Sequence, residues 1–473
     1  MPPGRIRLAP PPPAEVAAAF AALRESLGVS LRFADDVCDE ARAAAASAPR
    51  PGDDATQIPF VTIDPPASLD LDQALHLERR GGGYRVRYAI ADVGSFVRPG
   101  GLVDAEAHAR GQTLYAPDED ARLHPPQLAE GAASLLPGET RPAVLWTLDL
   151  DADGEQTAVD VRRALVRSRA KLDYAGVQRA LDDGAADEPL QLLREVGRLR
   201  QEREAERGGV DLPIPDQEIE RTDGAYRLVW RAPLPVERWN AQMSLLTGQA
   251  AARLMLDARV GVVRTLPRAD PGAVARLRRT ARGLGVPWPD ELSVGDFVRG
   301  LDPAEPAHAA VLADSTVLFR GSGYRAFDGE RPEEARHAGV GAPYAHATAP
   351  LRRLVDRYVS ECCLAASAGR EPPDWAREAL PALPETMARS GRRAAQFEGG
   401  ILSVVEAAVL APRVGELFDA VVVETDDRGG VVHLVEPAVT ARCAGEELPL
   451  GERVRARLVV ADVAERQVRF ELA

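Results

Sequence analysis

Val16, Phe20, Leu23 and Leu27 recur at helical spacing near the start of the chain, and Gly28 follows as a helix stop. A second short helix is predicted over 35–46, and the Ala-, Pro- and Asp-rich stretch 43–56 reads as a linker. Four consecutive prolines at 10–13 make a short extended lead-in. From Pro59 the texture changes. Phe60-Val61-Thr62-Ile63 has the signature of a buried strand, 84–90 reads as another, and 236–257 as a long helix. This mixture runs without a clear break to about Val409. Beyond it, 417–423, 430–434, 454–460 and 468–472 are short β runs with Gly and Asp turns between them. Four or five such strands suit a small barrel of the OB type. The pattern predicts an α+β chain in three parts: a small helical domain plus linker over 1–58, a large mixed domain over 59–411, and a β-barrel over 412–473. A helix-turn-helix is one of several packings open to the first part.

Composition narrows the class. At 473 residues the chain exceeds one ordinary core, and 45% hydrophobic with 27% charged residues excludes wholesale disorder. No run approaches the roughly 20 apolar residues of a membrane span. Met1-Pro2-Pro3-Gly4-Arg5 lacks the apolar run of a secretory signal. Cys38, Cys362, Cys363 and Cys443 are too scattered for a disulfide framework and lack zinc spacing. A cytoplasmic protein is expected. Of 58 basic residues only Lys171 is lysine. A GC-rich genome is the plain reading; selection for bidentate phosphate contacts is the other. Net charge is −14, and residues 1–58 (six arginines, eight acids) and 412–473 (eight against twelve) are both acidic. A nucleic-acid partner would therefore have to be held in a local groove, not by the overall field.

The candidate chemistry begins where the first strand ends. Asp64, Pro65-Pro66, then Asp70 and Asp72 put three carboxylates around one rigid turn. Like charges so close repel unless a cation joins them, and Mg²⁺ prefers carboxylates and phosphate oxygens. A solvated Asp-rich turn is the alternative. Arg352 and Arg353, after Pro350, are predicted to begin a helix, where one guanidinium would clamp a phosphate. Alternatively, Arg352 simply pairs with Asp356, four residues on.

Asp64-x5-Asp70-x-Asp72 after an Ile-Asp strand resembles the signature of the ribonuclease II/R family, whose catalytic RNB domain carries Asp-x5-Asp-x-Asp-Asp-Ala. Further segments resemble that family in order: Ile90-Ala91-Asp92-Val93, Gln112-Thr113-Leu114-Tyr115-Ala116-Pro117, Ser134-Leu135-Leu136-Pro137-Gly138, Ser168–Tyr174, Arg207-Gly208-Gly209 and Tyr344–Arg353. The resemblance covers about 59–410, and the terminal barrel resembles the RNA-binding OB module that closes such enzymes. There are departures. Gln73 stands for the fourth aspartate. The 348–354 box reads Thr-Ala-Pro-Leu-Arg-Arg-Leu, without the family's serine and tyrosine. The central helix's paired glutamates stand as Asn240-Ala241, and no second cold-shock-type barrel precedes the catalytic domain.

The resemblance implies a processive hydrolytic 3′-to-5′ exoribonuclease that digests single-stranded RNA to nucleoside 5′-monophosphates. Mg²⁺ would be its metal, with Mn²⁺ as a substitute. Asp64, Asp70 and Asp72 are the expected ligands, and Gln73 would add a weaker carbonyl ligand. Arg352 is the expected catalytic arginine, with Tyr115, Arg353 and Glu398 contacting RNA. A monomer is expected, with no obligate protein partner and no membrane. The rival reading is a catalytically weakened or inactive RNB-fold RNA-binding protein. Tyr115 alternatively packs in a core, and Glu398 alternatively sits exposed on a helix. His346 is read first as a structural hydrogen-bonder, Cys362-Cys363 as core. In the barrel Phe418, His433 and Phe470 are the candidate stacking groups, some of which must be core.

Overall fold

The computed structural model describes residues 14–47, 51–210, 216–222, 225–434, 436–445 and 447–473. The proline run at 10–13 lies outside them. The two opening helices form as predicted, α1 (Ala14–Ser26) and α2 (Asp35–Ala46), and Gly28 takes the left-handed conformation (φ 60°) that a helix stop requires. They do not build a core with each other, as a helix-turn-helix would. Val16, Phe20 and Leu23 of α1 join Leu114, Ala116, Phe397 and Ile401, whereas Val37 and Ala41 of α2 join a second core with Phe60, Leu71 and Leu145. Arg24 of α1 reaches Asp118, with Nη1 to Oδ2 at 2.9 Å, and donates to Glu119 O at 3.1 Å. Part of the expected linker is sheet-like, since Ala55 N–H and Leu165 O are 2.8 Å apart.

The large mixed region contains a closed barrel of β1 (Phe60–Ile63), β2 (Gln73–Arg80), β3 (Gly83–Ala91), β4 (Thr140–Leu150) and β5 (Gln156–Leu172). Four antiparallel neighbours form a meander, and parallel pairing of Thr62 with Lys171 closes it. Its interior and outer wall are dense with apolar groups, Trp146 and Tyr88 among the fully buried ones. Against the wall lies helix Pro235–Ala258. Met243, Ala250, Ala251, Ala252 and Met255 are all 0% exposed, as expected of a helix enclosed on most sides. Cys362 and Cys363 are core, as read.

The C-terminal strands Leu417–Asp426, Gly429–Leu434, Val439–Ala444, Arg453–Asp462 and Gln467–Leu472 close a second barrel. Its third and fifth strands run parallel, Cys443 opposite Phe470, which is the OB arrangement. Val439–Ala444 is the strand the sequence pattern passed over. Phe418 and Phe470 meet edge to face inside this barrel at 5.6 Å and are buried, so neither is a stacking platform. His433 stacks on Trp230 at 4.5 Å.

Helix Leu383–Leu410 joins the two halves. It belongs to a helical run, 374–413, that is long and apolar enough to cross a membrane by length and composition. In the fold its Phe397, Ile401, Val404 and Val405 are instead buried with α1 and the C-terminal barrel. On its buried side Glu406 accepts from Gln217 Nε2 at 3.1 Å, and burial pushes its carboxyl up to about 7. An acid whose folded pKa is raised favours folding fully only below its unfolded value, and that contribution is lost as pH climbs through 7. Glu406→Gln keeps the hydrogen bonds without the charge. It should raise the midpoint of denaturation at pH 8, by on the order of 1–3 kcal/mol, and leave it unchanged at pH 4. Denaturation curves of both proteins at the two pH values check this.

Candidate active site

The carboxylates sit at the mouth of the first barrel. Asp64 continues the β1–β5 pairing, its N–H donating to Leu172 O at 3.0 Å. Pro65-Pro66 turn the chain, Ser68 N–H closing the turn on Pro65 O at 3.0 Å. Asp70 and Asp72 follow just before β2. Asp72 is buried, and both its carboxylate oxygens are engaged from the far end of the sequence. Oδ1 accepts Leu351 N–H at 2.7 Å, and Oδ2 lies 3.3 Å from Arg352 Nε, partners 279 and 280 residues away. Burial pushes the Asp72 carboxyl up to about 8; Arg352 and the Leu351 N–H oppose this, while Asp70 and Asp356 add repulsion. The centre is short of positive charge.

The arginine pair is turned apart. Helix Leu354–Ser367 begins after both residues, with Arg353 extended at the N-cap (φ −137°), and not at the arginines as Pro350 suggested. Arg353 takes Asp356, Nε to Oδ2 at 3.0 Å and Nη2 to Oδ1 at 3.1 Å. Arg352 faces Asp72 instead of Asp356. The loop that presents them docks on the central helix, Ala345 N–H donating to Gly248 O at 3.0 Å. Only glycine permits this approach, because a Cβ at 248 would lie 2.2 Å from a ring carbon of Tyr344. His346 is half-buried and bonded through Nδ1 to the Tyr324 hydroxyl at 2.6 Å. Burial holds its imidazole well below the usual range, as befits a structural hydrogen-bonder.

Gln73, expected to offer a carbonyl oxygen to a metal, is committed elsewhere. Its Nε2 donates to Thr348 O at 2.6 Å, and its Oε1 accepts from the Tyr88 hydroxyl and from Ser244 Oγ at 3.3 Å. Three elements meet at one side chain. Nearby, Asn240 donates through Nδ2 to the Tyr174 hydroxyl at 3.3 Å, while its buried Oδ1 has no hydrogen-bond partner among the described residues. Burial pushes the Tyr174 phenol up to about 12, the Asp64 charge adding to it. Tyr88, Tyr174, Ser244 and Thr348 were not singled out from sequence. Tyr88 was legible only as one residue of a strand, Tyr174 and Thr348 only as members of family-like segments, and Ser244 carries no local signal.

Tyr115 is half-buried between the buried Leu114 and Ala116, and Thr113 N–H donates to Arg352 O at 3.0 Å. The Tyr115 segment is thereby tied to the arginine loop. Glu398 lies half-buried on helix Leu383–Leu410; burial raises its carboxyl, and it makes no hydrogen bond or ion pair among the described residues. Asp92 is structural. It accepts from Arg163 Nε at 2.7 Å, and Arg163 also binds Glu361, joining β3, β5 and the helix behind the arginines.

The donors around the loop are those a hard divalent cation prefers. Among the described residues, however, no three His, Cys, Asp or Glu groups form a ligand set for one ion.

Comparison with known proteins identifies the two barrels' domains. Residues 53–366 match the RNB domain, and 416–473 match the RNase II-type exonuclease C-terminal S1 domain. Ribonuclease R of Escherichia coli is 26% identical over 471 residues, covering 89% of this chain and 57% of that protein. The chain thus spans little more than half of that relative's length. Mycoplasma genitalium RNase R in complex with ribose-methylated single-stranded RNA superposes with a TM-score of 0.86 at 18% identity, over 97% of this chain and 78% of that one. Yeast Ssd1, a pseudonuclease, superposes with a TM-score of 0.71 at 15% identity, over 93% of this chain and 57% of that one. With two-thirds of its length matched to one family domain and its last strands to the accompanying S1 barrel, the chain belongs to the RNB-domain, ribonuclease II-type family.

Proposed function

We propose that the chain is a processive 3′-to-5′ exoribonuclease that hydrolyses single-stranded RNA to nucleoside 5′-monophosphates with the help of Mg²⁺. One observation carries the reading: the buried Asp72 carboxylate, the Leu351 N–H and the Arg352 guanidinium are brought together from opposite ends of the domain. A structural turn needs no such convergence. A divalent cation held by Asp64, Asp70 and Asp72 would activate water and neutralise charge on the leaving oxygen, with water and RNA phosphate completing its shell, as suits Mg²⁺. Mn²⁺ accepts the same ligands. Arg352 contacts the scissile phosphate and orients it. Arg353, paired with Asp356, supports the loop from behind. Gln73 acts as a lock between β2, the central helix and the Thr348 carbonyl. Asn240 Oδ1, a buried acceptor without a donor among the described residues, suits a water or ribose hydroxyl of bound substrate.

Tyr115 supplies a stacking surface near the RNA 3′ end, and Glu398 a further RNA contact. Stacking on any base is worth about 1–3 kcal/mol, which suits an enzyme indifferent to sequence. Tyr115→Ala should release short RNA sooner and lengthen the final product by one or more nucleotides. Product sizing on a denaturing gel checks this, and an unchanged product returns Tyr115 to a packing role.

The second reading, an RNB-fold RNA-binding protein without turnover, is favoured by the commitment of Gln73 to hydrogen bonds where the family pattern has an aspartate. Digestion of 5′-labelled single-stranded RNA, with and without EDTA, separates the two. Stepwise shortening that EDTA stops supports the exonuclease. Binding without shortening supports the alternative.

A further inference from the structure

The loop from Asp64 to Asp72 runs over the barrel mouth with no strand beside its middle, so its backbone groups need other partners. Two side chains supply them. Lys171, near the end of β5, donates from one ammonium to Pro66 O at 2.5 Å and to Ser68 O at 2.6 Å. Ser134 donates to Leu69 O at 2.6 Å and accepts Leu71 N–H at 2.9 Å, while Leu135 N–H donates to Leu71 O at 3.0 Å. Carbonyls at 66, 68 and 69 and the amide at 71 are thereby fixed, on the stretch between the first aspartate and the last.

The residue types are specific. Lys171 is the single lysine among 58 basic residues, so the pressure that made all the others arginine was resisted here. The position asks for a compact charge. Two carbonyls one residue apart converge on a single nitrogen, whereas a guanidinium is planar, longer and spreads its donors over three nitrogens. Ammonium-to-carbonyl bonds are charge-assisted and stronger than neutral ones. Ser134 is small enough to sit buried in the loop while serving as donor and acceptor at once.

We propose that Lys171, seconded by Ser134, is a positioning residue: it sets the height and spacing of Asp64, Asp70 and Asp72 without touching RNA. This rests on the exoribonuclease reading above. Lys171→Met keeps the length and apolar stem of the side chain and removes its donors; Lys171→Arg keeps charge and donors in the wrong shape. Three quantities are compared with wild type: hydrogen exchange of the backbone amides over 64–72, Mn²⁺ affinity by electron paramagnetic resonance without RNA, and kcat and KM on single-stranded RNA. In Lys171→Met, exchange in the loop should quicken on the order of tenfold, and Mn²⁺ should bind more weakly. A misplaced reacting group lowers rate on the order of 100-fold, so kcat should fall by about that much with KM unchanged. Lys171→Arg should lie between the two. Ser134→Ala should repeat the loop's loosening at 69–71, and it serves as the test should Lys171→Met fail to fold. Wild-type loop exchange and Mn²⁺ affinity in a folded Lys171→Met protein would overturn the proposal, as would a defect confined to KM. Should wild type itself not cut RNA, the exonuclease reading falls, and loop exchange with Mn²⁺ affinity still decides the role of Lys171.

Discussion

Asp72→Asn should fold, bind single-stranded RNA and fail to cut it. The amide is no larger than the carboxylate, and its oxygen can still accept the Leu351 N–H that Asp72 holds at 2.7 Å. What changes is the side facing Arg352, where an NH₂ group now meets a guanidinium and two donors confront each other. The guanidinium loses the partner that orients it, and the loop loses one of its three carboxyl groups. Removing one well-placed electrostatic contact in an enzyme costs about 10²–10³ in rate. On the proposed reading Asp72 would serve both the cation-binding loop and the arginine, so a loss of at least about 10³, roughly 4 kcal/mol of barrier, is expected. Affinity for RNA should hold, and above the pH at which Asp72 ionises it should rise, because phosphates then meet one fewer negative charge. Single-turnover cleavage and filter binding, run side by side, give both quantities. Near-normal cleavage by the folded variant would remove Asp72 from the mechanism.

The two adjacent arginines should fail in opposite ways. Arg352→Ala strips a partly exposed guanidinium from the site and should lower kcat by about 10²–10³, with little change in thermal stability. Arg353→Ala instead leaves Asp356, 0% exposed in its side chain, with only the Ala349 N–H at 2.7 Å for a partner among the described residues. Breaking one side of a buried ion pair costs about 3–5 kcal/mol. This variant should melt well below wild type, and whatever remains folded should retain much of its catalysis. Melting curves and rates per folded molecule distinguish the two residues. Equal damage to stability in both variants would mean that the division of labour drawn here is wrong.

Much of this was open to reading along the chain because it is local. Phe60–Ile63 running into Asp64, the Pro-Pro turn and the pair Asp70-x-Asp72 carry their meaning within a dozen residues, as do the period of α1 and four of the five C-terminal strands. The closure of the first barrel was not legible. It depends on Thr62 meeting Lys171 across more than a hundred residues, and no periodicity encodes that pairing. The short strand Val439–Ala444 escaped because Val-Thr-Ala-Arg-Cys-Ala, mostly small and polar, does not look like a strand until the barrel buries every second residue. The fates of Arg352 and Arg353 escaped for a similar reason. Helical spacing offered Asp356 to Arg352, but the helix starts after both arginines, so Arg353 takes it and Arg352 faces Asp72. Gln73 is legible as a departure from a pattern, but its three partners come from three distant segments.

The seating of α1 has a practical consequence. Its apolar face shares one core with Leu114 and Ala116 on either side of Tyr115, and Arg24 grips Asp118 three residues further on. A chimera that exchanged the leading helices for another domain would uncover that core and slacken the support beneath the tyrosine. The junction for such grafting therefore belongs ahead of Ala14. The leading helices are best treated as masonry of the large mixed domain and not as a detachable module.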